Sequence, residues 1–256
     1  MKVYVIILIG IVRGNNLSKY EDKAYKELLN WEKNIIKKDA SINNITKRFQ
    51  NKINSIIPEK VHLVITEGIK VMVKTAQFGS KYISDKPLKN KSLEERETLV
   101  RKKMEFYKKA AAISGAGTGW AGLLVGLADF PILLSLKMKF LFDVAGLYSF
   151  DVRSYKERLY ILYVFQLAFS SKKREIEIYK IIKDWDNYSK NLPENQEDFN
   201  WRQFQQEYRD YMDTAKMLQI VPGIGAVVGG LANYSLMNKL GKTSMNAYRM
   251  RVYKTD

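Results

Sequence analysis

Cysteine is absent from this chain, and histidine occurs once, at His62. The first absence excludes disulfides, thiolate metal sites and cysteine nucleophiles. The second removes most histidine-based metal and triad chemistry. His62 itself stands in the apolar phrase Val61-His-Leu-Val-Ile65 and is expected to be a core residue. Proline is scarce, and apolar residues recur at helical spacing, which leaves little room for a β-rich fold. A Walker-type phosphate loop is missing as well. Gly115-Ala-Gly-Thr-Gly-Trp120 has the glycines, but no strand precedes it and the lysine is lacking. No metal and no cofactor is expected.

What the chain does have is positive charge. Its formal net charge is +16, and it is unevenly placed. Residues 175 to 216 hold ten acidic against six basic side chains, so this stretch is −4 and the remainder +20. The densest basic cluster is Arg101, Lys102 and Lys103 with Lys108 and Lys109, just before a glycine-rich apolar segment. Basic charge beside apolar segments fits attraction to an anionic membrane surface, and these five residues are the candidate lipid-binding set. No nucleic-acid motif accompanies the charge, so no specific nucleic-acid partner is expected.

Residues 1–16 form an apolar extension, too short to span a bilayer comfortably and without a small-x-small cleavage pattern. It is either an anchoring stub or an artefact of a misplaced start. An all-helical domain is expected over residues 17–256. Ser18-x-x-Glu21 is a capping box, and Tyr20, Ala24, Leu28, Trp31 and Ile35 then define one apolar stripe. Ser92-x-x-Glu95 and Ser154-x-x-Glu157 are further capping boxes. The run Leu159-Tyr-Ile-Leu-Tyr-Val-Phe165 is apolar on every side and predicts a central core helix. A helix over Glu175 to Lys190 follows, and Trp201, Phe204, Tyr208 and Tyr211 then recur as a packing stripe. The last helix is expected to be short, from Thr243 to Tyr253.

One apolar phrase occurs twice. Gly122-Leu-Leu-Val-Gly-Leu-Ala-Asp-Phe130 is echoed, one residue longer, by Gly225-Ala-Val-Val-Gly-Gly-Leu-Ala-Asn-Tyr234. Over Ala110 to Leu136, Gly115, Gly119, Gly122, Gly126 and Asp129 fall on one helical face. Glycine costs about 1 kcal/mol relative to alanine inside a helix, so such a row needs a reason. Close approach of another backbone is the usual one, and Gly225, Gly229 and Ala232 supply a matching face. The expected fold is therefore all-α, a single multi-helix bundle with two closely packed glycine-rich helices in its core. Asp129 and Asn233 are the candidate buried polar pair at that contact. An ionised acid there is costly unless it is paired or its pKa rises. Both apolar segments are also long enough for a transmembrane hairpin, although Asp129, Pro131, Gln219, Pro222 and Asn233 interrupt them.

Three stretches together resemble the EcsC family of bacterial proteins. They are the glycine-rich segment with Asp129 and Pro131, then Ala145-Gly-Leu-Tyr-Ser-Phe-Asp151 with Glu157 and Arg158, then Ile220-Val-Pro-Gly-Ile-Gly-Ala-Val-Val-Gly-Gly-Leu-Ala-Asn-Tyr234. The resemblance covers roughly residues 18 to 254 and singles out Asp129, Asp151, Glu157, Arg158, Pro222, Gly225, Gly229 and Asn233. The family is named for a gene neighbourhood shared with ABC-transporter subunits, and the resemblance brings no catalytic assignment. It implies an accessory protein at the cytoplasmic face of the cell membrane, with ABC-transporter subunits as partners. Arg158 is expected to pair with Asp151. The alternatives are a carboxylate-based hydrolase centred on Asp129, chemically feasible if a buried acid is tuned towards neutrality, and an integral membrane protein with a glycine-rich hairpin.

Overall fold

A computed structural model describes residues 18–37, 59–79, 87–117, 123–212 and 229–255. The extension at 1–16, Gly119, Gly122 and Gly225 lie outside the described residues. Nine α-helices are described: α1 Lys19–Lys37, α2 Glu59–Phe78, α3 Leu93–Gly117, α4 Leu123–Leu147, α5 Tyr155–Phe169, α6 Lys172–Lys183, α7 Trp185–Lys190, α8 Trp201–Tyr211 and α9 Gly229–Thr255. Among the described residues there is no strand, only an isolated bridge between Ser170 and Met212. The all-α bundle expected from the sequence is what forms.

Two capping boxes close as their spacing requires. The Ser18 N–H donates to Glu21 Oε2 at 2.8 Å while the Glu21 N–H donates to Ser18 Oγ at 3.2 Å. Ser92 and Glu95 repeat this at 2.9 and 3.3 Å at the head of α3. Each satisfies helix-end N–H groups that would otherwise lack partners. At Ser154 the box does not form, and the side chain makes no cap. Glu157 is drawn inward instead, to partners described below.

The centre of the bundle is α5, in which every residue except Lys156 is buried. Around it, α4 runs antiparallel to α3, since Tyr107 meets Phe140 edge-on at 5.5 Å and Arg96 donates to the Tyr148 carbonyl. The stretch from Ala110 to Leu136 is thus divided between the two arms of a hairpin, and Gly115 and Gly126 stand on different helices. The helix α2 runs parallel to α4, with Gly68 over Phe130 and Gly79 over Phe142. The helix α9 lies antiparallel along α3, the most extensive helix contact of the bundle.

This last helix corrects the expectation of a short one. It runs 27 residues from Gly229 without a break at Gly241. Gly241 is where α3 comes closest, because a Cβ there would overlap Met104 Sδ. A second close approach is at Gly68, where a Cβ would stand 2.5 Å from Phe130 Cε1 and 2.7 Å from Leu134 Cδ1. The two sites differ in what has to move. Phe130 and Leu134 are fully buried, whereas the thioether of Met104 is flexible. Gly68→Ala is therefore expected to destabilise by about 1–3 kcal/mol. Gly241→Ala is expected to cost less, since helix propensity returns up to about 1 kcal/mol. Parallel urea titrations of both variants check the order, and equal losses would contradict it.

Candidate functional site

The sequence candidates separate into three places. Asp151 is part-exposed and belongs to a local ion pair: Arg153 Nε lies 2.8 Å from Oδ1, and the Arg153 N–H adds a bond of 2.9 Å. Hydrogen bonds from Arg153 hold the Asp151 carboxyl below the usual carboxylate range. The expected Asp151–Arg158 pair does not form. Arg158 is buried and gives its guanidinium to the carbonyls of Ala76, Gln77, Val152 and Arg153 and, at 2.7 Å, to Gln196 Oε1. Ala76 and Gln77 lie in the last turn of α2, whose free carbonyls and negative dipole end suit a cation.

Buried Glu157 pairs with half-buried Arg251 at 2.6 Å, and Tyr248 donates to the same carboxylate at 2.8 Å. The Arg251 guanidinium lies 3.7 Å from the Phe150 ring centre and 4.5 Å from that of Tyr160. Charge and aromatic faces together make this seam between α5 and α9 a packing element.

The largest buried network was not foreseen. Glu97 on α3 has no solvent exposure and takes both arms of Arg249 on α9, Nε to Oε1 and Nη2 to Oε2, each at 2.6 Å. Tyr20 on α1 donates to it at 2.6 Å, Tyr148 at 3.0 Å, and Arg101 at 3.3 Å. Arg249 also reaches Glu27 on α1 at 3.0 Å and Asn246 at 3.1 Å. Tyr148 is aimed at Glu97 by the end of α4. There the Phe150 N–H donates to the Ala145 carbonyl and the Ser149 N–H to the Gly146 carbonyl. Ser149 adopts the left-handed conformation, φ 71°, that this helix stop requires. One carboxylate and one guanidinium thus tie α1, α3 and α9 together.

The third place is the glycine-rich end, where α3 finishes and α2, α4 and α9 start. Gly115 closes α3, Gly126 and Asp129 lie in the first two turns of α4, and Gly229 and Ala232 open α9. The Asp129 side chain and the docking of the two glycine ridges lie outside what is described. Asn233 is fully buried and accepts from Lys137 Nζ on α4 at 3.3 Å. Lys137 also has no exposure, and burial pushes its amine down to about 7. The basic cluster splits in two. Arg101 joins the Glu97 network, and Lys108 is buried, paired with Glu105 at 2.7 Å and lying over the Tyr234 ring. Lys102, Lys103 and Lys109 point to solvent, with Lys103 at 3.2 Å from Asp143.

Lys102 and Lys109 share the outer face of α3 with exposed Phe106 and Ile113, at spacings of four, three and four. Leu63, Ile132 and Tyr234, from the first halves of α2, α4 and α9, are exposed towards the same end. Among the described residues no helix is long and apolar enough to cross a membrane, and no cluster of acidic or histidine side chains could hold a metal.

A sequence model of the EcsC protein family matches residues 22–252. The chain is 43% identical over 230 residues to Protein EcsC of Bacillus subtilis (strain 168), which covers 90% of this chain and 94% of that protein. It is 35% identical over 144 residues to Uncharacterized protein YdbA of the same strain, covering 56% of this chain and 52% of that one. No solved structure matches.

Proposed function

The chain belongs to the EcsC protein family, and from that premise we propose that it is a helical accessory protein attached peripherally to an anionic membrane surface through its glycine-rich end. The observation that carries this reading is the α3 stripe of Lys102, Phe106, Lys109 and Ile113, with Leu63 and Ile132 exposed in the first halves of α2 and α4. Large apolar side chains interleaved with lysines suit the boundary between lipid headgroups and acyl chains, where rings and aliphatic groups bury and ammonium groups meet phosphates. A net charge of +16 adds a long-range attraction to the same surface. The cytoplasmic face is part of the same proposal and rests on the family resemblance. The partner class, subunits of an ABC transporter, rests on the family resemblance alone.

Vesicle co-sedimentation tests the reading. Binding is expected to vesicles rich in phosphatidylglycerol and not to pure phosphatidylcholine, with release in high salt. Each lysine near such a surface contributes about 1 kcal/mol, so Lys102→Gln with Lys109→Gln is expected to weaken binding about 30-fold. Phe106→Ser with Ile113→Ser should weaken it further without altering the salt dependence. Equal binding by both double variants and the parent protein would refute the assignment of this face.

A further inference from the structure

A cleft of about 310 Å³ opens between α1, α6 and α9, with α5 beneath it. Its walls include Trp31 and Asn34 from α1, Leu167 from α5, Glu175 from α6, and Asn238 and Lys242 from α9. Glu175 is only 9% exposed, and its carboxylate forms no hydrogen bond or ion pair with another described residue. It stands in the first turn of α6. Its oxygens are not sealed off from solvent, so the carboxylate opens on the cleft and can meet a cation there. Lys239 and Lys242 line the same space from α9, and no ion pair joins Glu175 to Lys242.

The walls are held apart by contacts of their own. Glu32 on α1 accepts from Tyr179 at 2.6 Å and Lys183 at 2.9 Å on α6. On the other side, Arg249 reaches Glu27 and Tyr253 donates to the Glu21 carbonyl at 2.7 Å, fixing α1 against α9. The cleft is therefore formed before any ligand arrives, which lowers the ordering cost of binding.

We propose that this cleft binds a small zwitterion, with its ammonium group at Glu175 beside Trp31 and its acidic group at Lys242. A carboxylate next to an indole is a fitting environment for an organic ammonium, since ring and anion attract it together. The amides of Asn34 and Asn238 supply neutral donors and acceptors between the two charges. Such chemistry has two sources, a soluble zwitterion or the ethanolamine headgroup of a lipid. The proposal does not depend on the membrane reading, because the cleft is lined by none of the α3 stripe residues.

Isothermal titration of the full chain with O-phosphoethanolamine and with L-alanine tests it, beside vesicles with and without phosphatidylethanolamine in a phosphatidylcholine background. Saturable binding of at least one zwitterion is expected, with ethanolamine alone and inorganic phosphate alone each binding at least about tenfold more weakly. Glu175→Gln is expected to weaken the zwitterion about tenfold or more. Lys242→Ala, at an exposed position that leaves the core intact, should weaken it several-fold. Binding of free zwitterions identifies a soluble ligand. Binding confined to phosphatidylethanolamine vesicles, and lost in Lys242→Ala, identifies the headgroup. Absence of saturable binding to every zwitterionic probe, or affinity unchanged in both variants, overturns the proposal.

Discussion

Glu97→Ala is expected to lower the unfolding free energy by about 3–5 kcal/mol, the loss found when one partner of a buried ion pair is removed. Arg249 would remain 2% exposed with its two strongest acceptors gone, keeping only Glu27 and Asn246. The tyrosines that donate to Glu97 would lose an acceptor at the same time. A urea titration followed by circular dichroism reads the loss. Glu97→Leu combined with Arg249→Met should recover the part due to the stranded guanidinium, because an apolar pair of similar volume escapes its desolvation cost, while the tyrosine hydroxyls remain without their acceptor. A pH dependence belongs to the same group. Burial alone would raise the Glu97 carboxyl, but the Arg249 guanidinium and the tyrosine hydroxyls outweigh it and hold the group below its usual value. A depressed acid contributes stability above the unfolded pKa, about 4, and that contribution disappears as pH falls through the folded value. The parent protein should therefore lose stability more steeply in acid than the Glu97→Leu, Arg249→Met double variant. Coincident acid profiles would rule the pair out as the cause.

Lys137→Met should act in the opposite direction. The amine is fully buried, and no acid among the described residues lies within ion-pair distance of it. Burial lowers its pKa from an ordinary 10.5 to about 7. Between those values the unfolded chain holds more protons than the folded one, so stability rises with pH by at most about 1.4 kcal/mol per unit. Below about pH 7 both states are protonated and the cost of burying the ammonium is complete. Methionine fills a similar volume without that cost. The substitution gives up one hydrogen bond to Asn233, about 1 kcal/mol, against a burial penalty of several kcal/mol. Net stabilisation is expected at about pH 6, fading by about pH 9.5. Parallel stability curves for variant and parent across that range would show that Lys137 is not the titrating group.

The helices were legible wherever one face alone decided burial. Ala24, Leu28 and Ile35 of the α1 stripe are each under 5% exposed, and Leu159 to Phe165 form the core segment their all-round apolarity required. The stripe on α8 packs inward through Phe204 and Tyr208. The helix expected over Glu175 to Lys190 starts earlier, at Lys172, and is interrupted at Asp184, with φ −109° and ψ 33°. Failures came where a partner distant in sequence overrode a local signal. Ser154-x-x-Glu157 has the spacing of a cap, but Arg251 and Tyr248 claim the carboxylate. Gly241, beside polar Lys239 and Lys242, has the composition of a helix break, yet it marks a close approach to Met104. Arg249 looks like one more surface cation in a basic stretch. Its partner Glu97 lies 152 residues earlier, and no spacing rule connects them. The cleft at Glu175 was hidden for the same reason, since its walls come from four separated helices.

The tie between α9 and the first helices has a consequence for biosynthesis. Arg249 binds Glu27 across 222 residues and Glu97 across 152, and Tyr253 reaches back 232 residues to Glu21. None of these bonds can close until α9 has left the ribosome. Until then Glu97 and its tyrosines face an empty groove, and the apolar side of α3 stays available to other nascent chains. Such distant pairing makes folding slow and leaves the intermediate open to aggregation, so the unfinished bundle is expected to draw on chaperones until α9 docks.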